Sequence, residues 1–315
     1  MSYRNLSDCV KDLAKNRHLV RIDDLEIDPF LELAAVQRRA FRNGSPALLF
    51  TRVKGCSFPM LANLYGTRER MRFIFRKSLG QVERLLAVKA GPTAVVRPPL
   101  SYLGLSRAML RMLPRKVRGG PVLARRSSLS QLPKLVSWPM DGGPYVTLPQ
   151  VYTEQPGKPG FFASNLGMYR VQLGGNDYLP DREAGLHYQI HRGIGPHHAA
   201  ALERGEDLPV NIFIGGPPAL ALSAIMPLPE GVPEICFAGA LAGRRIAMIM
   251  PDDKNGLRLP IPAQADFCIC APLSGKGGQN GTPSTKNEGP FRAPLGYLRP
   301  PHDVWGTQTD ALRDR

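Results

Sequence analysis

The sequence lacks a long apolar run. No stretch reaches the ~18 to 20 apolar residues that a membrane span requires. The closest, Val210 to Pro229, is interrupted by Gly215-Gly216-Pro217-Pro218. The N-terminus is polar and has no apolar segment typical of a secretory signal. We therefore expect a cytoplasmic protein without a membrane span.

Cysteine is scarce, and its spacing shows no C-x-x-C motif. The chain has five cysteines, an odd number, at positions 9, 56, 236, 268 and 270. Alternation along a strand would place Cys268 and Cys270 on the same face. This pattern favours ordinary thiols in a reducing compartment over a disulfide framework or a metal site.

Acidic residues are few relative to basic ones. The chain has 41 Lys and Arg against 26 Asp and Glu, a net charge of +15. Much of the excess lies between Arg107 and Arg126. A basic stripe of this kind can bind nucleic acid or attract anionic molecules. No aromatic residue lies between Tyr102 and Trp138, so a base-stacking platform is absent there. An exposed linker is the favoured interpretation.

Glycine and proline are abundant, with 32 and 31 residues scattered along the chain. This composition predicts many turns and strand ends. A length of 315 residues is typical of two domains. We predict an α+β protein with an N-terminal α/β domain over 1–105, a basic linker over 106–126, a second domain over 127–300 and a short tail over 301–315. Within the second domain, the polar, Gly-rich stretch Ser274 to Asn287 predicts a loop.

Local patterns support a mixed first domain. Asp28-Pro29 is typical of a helix start. Asn43-Gly44 would end that helix, after an apolar stripe of Phe30, Leu33, Ala34 and Phe41. A short buried strand follows at Ala47 to Thr51. Further helical patterns cover Thr67 to Phe75 and Ser78 to Val88.

The second domain is rich in short strands broken by proline and glycine. Helices are predicted near His197 to Arg204 and Pro218 to Ala224. Strands are predicted at Pro144–Pro149, Met168–Leu173, Val210–Ile214, Ile246–Met250 and Ala265–Ala271. Such a domain is best explained as a barrel or a closed sheet.

Three motifs rich in glycine or proline carry an amide, an imidazole and a carboxylate: Asn165, His191 and Glu234. This donor set favours Mn²⁺ or Mg²⁺ over structural zinc and leaves coordination positions for phosphate oxygens. Spacing alone does not establish a metal site, since each residue taken singly is more often an ordinary polar residue. His187 and His191 stand four apart, but Tyr188 replaces the glutamate of H-E-x-x-H, which disfavours a zincin.

Several motifs occur in an order that resembles the UbiD family of decarboxylases, which use prenylated FMN. They are Ser45-Pro46-Ala47-Leu48-Leu49-Phe50, Asn63-Leu64-Tyr65-Gly66, Asp141-Gly142-Gly143-Pro144-Tyr145-Val146-Thr147, Asn165-Leu166-Gly167-Met168-Tyr169-Arg170 and Phe237-Ala238-Gly239. The resemblance extends to about Tyr297. It implies that the second domain is a split β-barrel, related to flavin reductases, that binds prenylated FMN.

The resemblance also implies roles for individual residues. Asn165, His191 and Glu234 would hold a divalent metal, Mn²⁺ by preference, that clamps the cofactor phosphate, and K⁺ is a further candidate ion. Flavin-lining positions correspond to Met168, Tyr169, Met226 and Pro227. Arg170 would pair with Glu288 and orient the substrate carboxylate.

The implied activity is non-oxidative decarboxylation of an aromatic or α,β-unsaturated carboxylic acid. In the family the modified flavin acts as the electron sink, while the protein positions the substrate and returns a proton. A flavin prenyltransferase would supply the cofactor, and homo- or hetero-oligomers are expected.

The sequence departs from the family pattern near its C-terminus. Ala293 stands where the family has an acidic proton donor, and Ala224 and Ile225 replace two serines. The family's C-terminal domain is absent from these 315 residues. An alternative hypothesis is therefore a catalytically impaired paralogue that acts as a subunit or cofactor-binding partner. Nucleic-acid binding through Arg107 to Arg126 is the weaker alternative.

Overall fold

The computed structural model describes residues 3–80, 82–83, 109–175, 178–188, 193–228, 231–252, 256–274, 295–298 and 304–306. Their helices are α1 (Leu6–Lys15), α2 (Glu32–Arg42), α3 (Arg68–Phe75), α4 (Ile194–Glu203), α5 (Pro218–Ser223) and α6 (Glu234–Leu241). Their strands are β1 (Leu19–Ile27), β2 (Ala47–Val53), β3 (Met60–Ala62), β4 (Arg115–Val117), β5 (Arg125–Ser127), β6 (Tyr145–Val146), β7 (Gln150–Glu154), β8 (Ser164–Gly167), β9 (Arg170–Gln172), β10 (Ala184–His187), β11 (Leu208–Ile214), β12 (Ala247–Ile249), β13 (Ile261–Pro262), β14 (Phe267–Ser274), β15 (Leu295–Leu298) and β16 (Val304–Gly306).

The N-terminal part is a small α/β unit, as predicted. Strands β1 and β2 pair in parallel and are connected through α2, while β3 pairs antiparallel to β2. Helix α1 begins after Asn5, whose side chain accepts a hydrogen bond from the backbone N–H of Asp8 at 2.8 Å. Its apolar face buries Cys9, Val10 and Leu13. Sequence patterns did not single out this helix.

The predicted start of α2 is wrong by three residues. The Asp28 carboxylate accepts a hydrogen bond from Phe30 N at 2.8 Å, and the Glu32 carboxylate accepts one from Asp28 N at 2.8 Å. These bonds form a turn, and the helix begins only at Glu32. The predicted apolar stripe is half right, since Leu33 and Ala34 are buried but Phe30 and Phe41 are 58% and 59% exposed.

A buried arginine explains two of the recognised motifs. Arg70 is 2% exposed. Its guanidinium donates hydrogen bonds to the carbonyls of Leu64 at 2.9 Å, Ser45 at 3.0 Å and Asn63 at 2.5 Å. The Asn63 side chain also donates to Ser45 O at 2.8 Å, from a left-handed backbone with φ 58°. The Ser45-Pro46 and Asn63–Gly66 motifs therefore meet in one structural cluster.

The second part is built on a ten-stranded sheet in which every described pairing is antiparallel. The main path runs β6-β9-β10-β15-β14-β11-β7-β8, with β16 and β5 attached beside β14. All five strand predictions and both helix predictions in this region overlap observed elements. The expected closure is not found among the described strands, because β6 and β8 end the path without pairing to each other.

A third, three-stranded sheet contains part of the basic segment. Strand β4 pairs in parallel with β12, which pairs antiparallel with β13. Strand β5 pairs with β16. Arg115 and Lys116 keep exposed side chains while the backbone of β4 is held in the sheet. The predicted 106–126 linker is therefore incorporated into two sheets over these two strands.

One apolar core joins the two parts. It contains Leu13 and Leu49 from the N-terminal unit together with Phe213, Leu220 and Phe237 from the second. Two hydrogen bonds cross the same boundary. Ser78 Oγ donates to Leu241 O at 2.5 Å, and Tyr65 OH donates to Pro218 O at 3.1 Å.

Cys268 and Cys270 lie on one face of β14 with their Sγ atoms 3.6 Å apart, as the alternation predicts. Within the described ranges, we find no helix with the length and apolar character needed to cross a membrane. The predictions for His191, Glu288 and Ala293 fall outside the described residues.

Candidate functional site

The structure brings together two of the three predicted metal ligands. Asn165 lies on β8 and is 8% exposed. Glu234 is the first residue of α6. The Glu234 Oε2 atom accepts a hydrogen bond from Leu166 N at 3.1 Å, which ties α6 to the strand that carries Asn165.

Gly193 packs directly against the Asn165 side chain. A Cβ atom on Gly193 would lie 1.9 Å from Asn165 Oδ1, far inside contact distance. Glycine at 193 therefore permits the observed position of the Asn165 amide. His191 itself is outside the described residues, but it precedes Gly193 by only two positions.

Tyr169 connects the Asn165 amide to the start of α4. Its hydroxyl oxygen accepts a hydrogen bond from Asn165 Nδ2 at 3.3 Å and another from Ile194 N at 3.3 Å. The amide nitrogen is thus occupied by tyrosine. In the described part of the chain, no donor is bonded to Asn165 Oδ1, so this oxygen is available to a cation.

Two of the predicted flavin-lining residues, Met226 and Pro227, follow the end of α5, and the other two, Met168 and Tyr169, lie between β8 and β9. Met168 N donates to Ala224 O at 3.1 Å. Met168 therefore contacts the residue that precedes Met226 by two positions in the sequence. Met226 is half-buried against the core and Pro227 is exposed. Ser223 is fully buried, and its Oγ has no hydrogen-bond partner among the residues that the structure describes.

Arg170 is exposed on β9, opposite His187 on β10. Burial, together with repulsion by the Arg170 charge, lowers the pKa of His187 to about 4. His187 is therefore neutral at physiological pH. The predicted pairing of Arg170 with Glu288 is not tested, because Glu288 lies outside the described ranges.

The environment of Glu234 is short of positive charge. Burial raises the pKa of its carboxyl group, while hydrogen bonds from its own backbone N–H and from Leu166 N oppose that rise. No Lys, Arg or His of the described ranges forms an ion pair with it. A half-buried carboxylate without a counter-charge fits a bound cation.

The described residues alone do not form a complete metal centre. No group of three His, Cys, Asp or Glu side chains with metal-binding geometry occurs among them. Asn165 and Glu234 supply two oxygen donors, and such donors suit Mg²⁺ or Mn²⁺. His191, the third sequence-predicted ligand, lies outside the described residues, so the metal site stays a prediction.

A separate apolar cavity of about 190 Å³ lies away from these donors. Residues of α1, β3 and the Gly215–Pro218 turn line it, and neither Asn165 nor Glu234 does. Gln150 borders it at the opposite end of β7 from Thr153, the residue that pairs with Asn165. The cavity and the donor pair are therefore distinct features.

Sequence reasoning missed the supports of the site. Leu166 lies inside a quoted motif and Gly193 lies two residues after His191, but only tertiary structure shows what these two residues contact. His197 was predicted only as part of a helix, and its contact, with Nδ1 2.9 Å from Thr153 Oγ1 beside β8, was not predicted. The one sequence feature that could have indicated the close contact was Gly193, two residues after His191.

The fold and the site define a mixed α/β protein with an oxygen-rich donor pair between a sheet and a helix. Residues 115–308 match the model of the 3-octaprenyl-4-hydroxybenzoate carboxy-lyase Rift-related domain. Residues 10–89 match the N-terminal domain of the same enzyme. The chain belongs to the UbiD family.

Curated relatives support this membership. The chain is 37% identical over 284 residues to a Chlamydia pneumoniae protein named as a subunit of 4-hydroxybenzoate decarboxylase, covering 88% of this chain and 45% of the relative. It is 36% identical over 303 residues to a protein of Chlamydia trachomatis serovar D, covering 93% and 48%. The chain thus spans about half the length of these relatives.

Solved structures share the fold. One is the vanillic acid decarboxylase of Sedimentibacter hydroxybenzoicus in closed form, with a TM-score of 0.74, 20% identity, and coverage of 98% of this chain and 63% of that one. Another is an evolved dimeric form of the UbiD-class enzyme HmfF from Pelotomaculum thermopropionicum in complex with prFMN. It has a TM-score of 0.71, 23% identity, and coverage of 97% and 67%.

Proposed function

We propose that this chain forms the cofactor-binding part of a UbiD-type carboxy-lyase. The reaction is non-oxidative decarboxylation of an aromatic or α,β-unsaturated carboxylic acid, with prenylated FMN and a divalent metal. The second part of the fold would be the split barrel that holds the cofactor. The observation that carries the proposal is the joining of Asn165 and Glu234 through Leu166, in a chain of this family.

The donors present fit a divalent ion. Asn165 Oδ1 is held against Gly193 while its amide nitrogen bonds Tyr169. Glu234 offers a carboxylate with no cationic partner among the described side chains. Asn165, Glu234 and the sequence-predicted His191 would hold the ion, and the ion would bind the cofactor phosphate.

When bound, prenylated FMN supplies the electron sink for loss of CO₂. The protein's own residues supply binding and orientation. Met168 and Met226 would pack against the flavin, because the Met168–Ala224 backbone contact brings their segments together. Arg170, exposed on β9, would bind the substrate carboxylate through its guanidinium fork.

This chain lacks the acidic residue that returns a proton to the product in the family. Alanine at 293 cannot donate a proton, and removing a general acid typically costs ~100- to 10,000-fold in rate. We therefore expect the chain to bind the cofactor well and to turn over slowly. A flavin prenyltransferase would supply the cofactor.

Reconstitution with prenylated FMN and Mn²⁺ tests the proposal. We expect the wild type to retain flavin absorbance after desalting. Mn²⁺ binding is measured through the electron paramagnetic resonance of the free ion. We expect the Mn²⁺ affinity of Glu234→Gln to be at least about tenfold weaker. Glu206→Gln is the matched control, because Glu206 is an exposed carboxylate paired with Arg204. A folded protein that retains no flavin, or equal losses in both variants, would overturn the assignment.

A second candidate function is that of a subunit without activity of its own. Ala293 favours it, and so does the name of the Chlamydia pneumoniae relative, which describes one subunit of a decarboxylase. We would measure CO₂ release from the wild type and from Ala293→Glu, each alone and with a full-length relative coexpressed. Strong release from the wild type alone contradicts a purely auxiliary role.

A further inference from the structure

Four arginines surround a small cavity far from the donor pair. The cavity has a volume of about 120 Å³, and its lining includes Arg4, Arg115, Arg244 and Arg245. We call it the arginine pocket. A volume of this size is enough for several waters or for one small polyatomic anion.

The fold builds the arginine pocket from three distant parts of the chain. Pairing of β4 with β12 holds Arg115 beside the Arg244–Ile246 segment, with Arg115 N donating to Ile246 O at 2.7 Å. The Arg245 guanidinium is fixed by the carbonyls of Leu113 at 2.7 Å and Pro114 at 3.0 Å. Arg4 arrives from the N-terminus, where Asn5 Nδ2 donates to Gln264 Oε1 at 3.4 Å.

Positive charge in the arginine pocket is poorly compensated. Burial and repulsion by Arg4 and Arg115 lower the pKa of Arg244. Asp8 is the one carboxylate among the described residues that opposes this effect, and it already accepts a hydrogen bond from Arg4 N at 3.2 Å. Over the described ranges, Arg4, Arg115 and Arg244 form no ion pair with any carboxylate.

The arginine pocket is separate from the proposed cofactor site. Glu234 begins α6, whereas Arg244 follows its last residue, Leu241. A helix of 8 residues spans about 12 Å, so the two sites lie at opposite ends of α6. Neither Asn165 nor Glu234 lines the arginine pocket.

We propose that the arginine pocket binds a phosphate group, either as inorganic phosphate or as the terminal phosphate of a small phosphomonoester. Phosphate carries about two charges near neutral pH, and its oxygens match the planar donor fork of arginine. Arg244 and Arg115 would donate to the anion, while Arg245, held on backbone carbonyls, would contribute mainly its charge.

Titration calorimetry on the full chain tests this proposal. Inorganic phosphate and glycerol phosphate would be titrated separately, at constant ionic strength set with chloride. We expect Arg244→Gln and Arg115→Gln each to weaken binding about ten- to a hundredfold, since each removes a charge-assisted hydrogen bond. Arg39→Gln is the control, because it removes the same charge from an exposed position on α2.

The titrations distinguish the two possible ligands from each other. They also distinguish a specific site from general charge attraction. Tighter binding of glycerol phosphate than of phosphate identifies an ester ligand, and the reverse order identifies the free ion. Circular dichroism shows whether each variant is folded. If Arg244→Gln does not fold, the phosphate affinity of Arg115→Gln tests the proposal in its place. No phosphate binding by the wild type, or equal weakening in Arg39→Gln, overturns the proposal.

Discussion

Asn165 can lie in its observed position because residue 193 carries no side chain. We predict that Gly193→Ala displaces the Asn165 amide, since the new methyl group would lie 1.9 Å from its Oδ1 atom. The displaced atom is the end of a side chain, so the melting temperature should change little. Mn²⁺ affinity should fall about tenfold or more, as measured by calorimetry.

Gly174→Ala is the control for this substitution. Among the described residues, a methyl group at Gly174 would meet no atom within 4 Å. Equal Mn²⁺ affinity in Gly193→Ala and the wild type would show that Asn165 is not a ligand, or that it does not need its observed position.

His187 should make the fold sensitive to acid. Its pKa is lowered from 6.5 to about 4 in the folded chain, chiefly by burial. The unfolded chain therefore binds more protons between these values, and stability is lost as pH falls through this window. We predict that the free energy of unfolding of the wild type drops about 2 kcal/mol more than that of His187→Gln between pH 7 and pH 4.5. Urea denaturation at both values measures it, and parallel curves would contradict the prediction.

At the scale of elements, Arg70 joins α3 to the two loops that carry the Ser45-Pro46 and Asn63–Gly66 motifs. Arg70→Ala removes three hydrogen bonds to backbone carbonyls, of which only Ser45 O keeps a side-chain donor among the described residues, Asn63 Nδ2. We predict a loss of about 2 to 4 kcal/mol in the free energy of unfolding. Arg72→Ala, at an exposed position of the same helix, should cost much less. Similar losses in the two variants would show that the carbonyl contacts contribute little.

Helix α6 approaches the 109–112 segment closely at Gly239. A Cβ atom there would lie 2.0 Å from the backbone oxygen of Arg111. Backbone cannot rotate away as a side chain can, so we predict that Gly239→Ala costs about 1 to 3 kcal/mol. Chemical denaturation checks this value against Gly80→Ala, where the added methyl group meets no described atom within 4 Å. An unchanged Gly239→Ala midpoint would mean that α6 shifts freely.

Element types were more predictable than their boundaries. Alternating and helical patterns located β11, β14 and α5. Asp28-Pro29 misled because the Asp28 carboxylate forms a local turn with Phe30 instead of capping a helix. Phe30 and Phe41 are apolar but exposed, and no periodicity distinguishes them from buried residues.

At the scale of the whole molecule, the N-terminal unit and the sheet domain share a core. Leu13 and Leu220 belong to the same buried cluster, and Ser78 bonds Leu241 across the boundary. We predict one cooperative unfolding transition, with calorimetric and van't Hoff enthalpies that agree. Two resolved transitions in differential scanning calorimetry would show that the units unfold independently. Ser78→Ala should lower the single midpoint without splitting it.

The candidate site was predictable in part. Motif resemblance located Asn165 and Glu234, which the fold does bring together. The sequence did not reveal Gly193 as the residue that admits Asn165, nor the convergence of Arg4 with Arg244. Both depend on contacts between residues far apart in the chain, which local patterns do not encode.

Glu234 also affects whether the exposed edge of the sheet can pair with another chain. Strand β8 is the last on its path, and Leu166 N points away from β7 toward Glu234. An open backbone donor on an edge strand is a template for pairing with another chain. The Glu234 carboxylate occupies that donor, so the same side chain that would ligate the ion also protects the sheet against association through this edge.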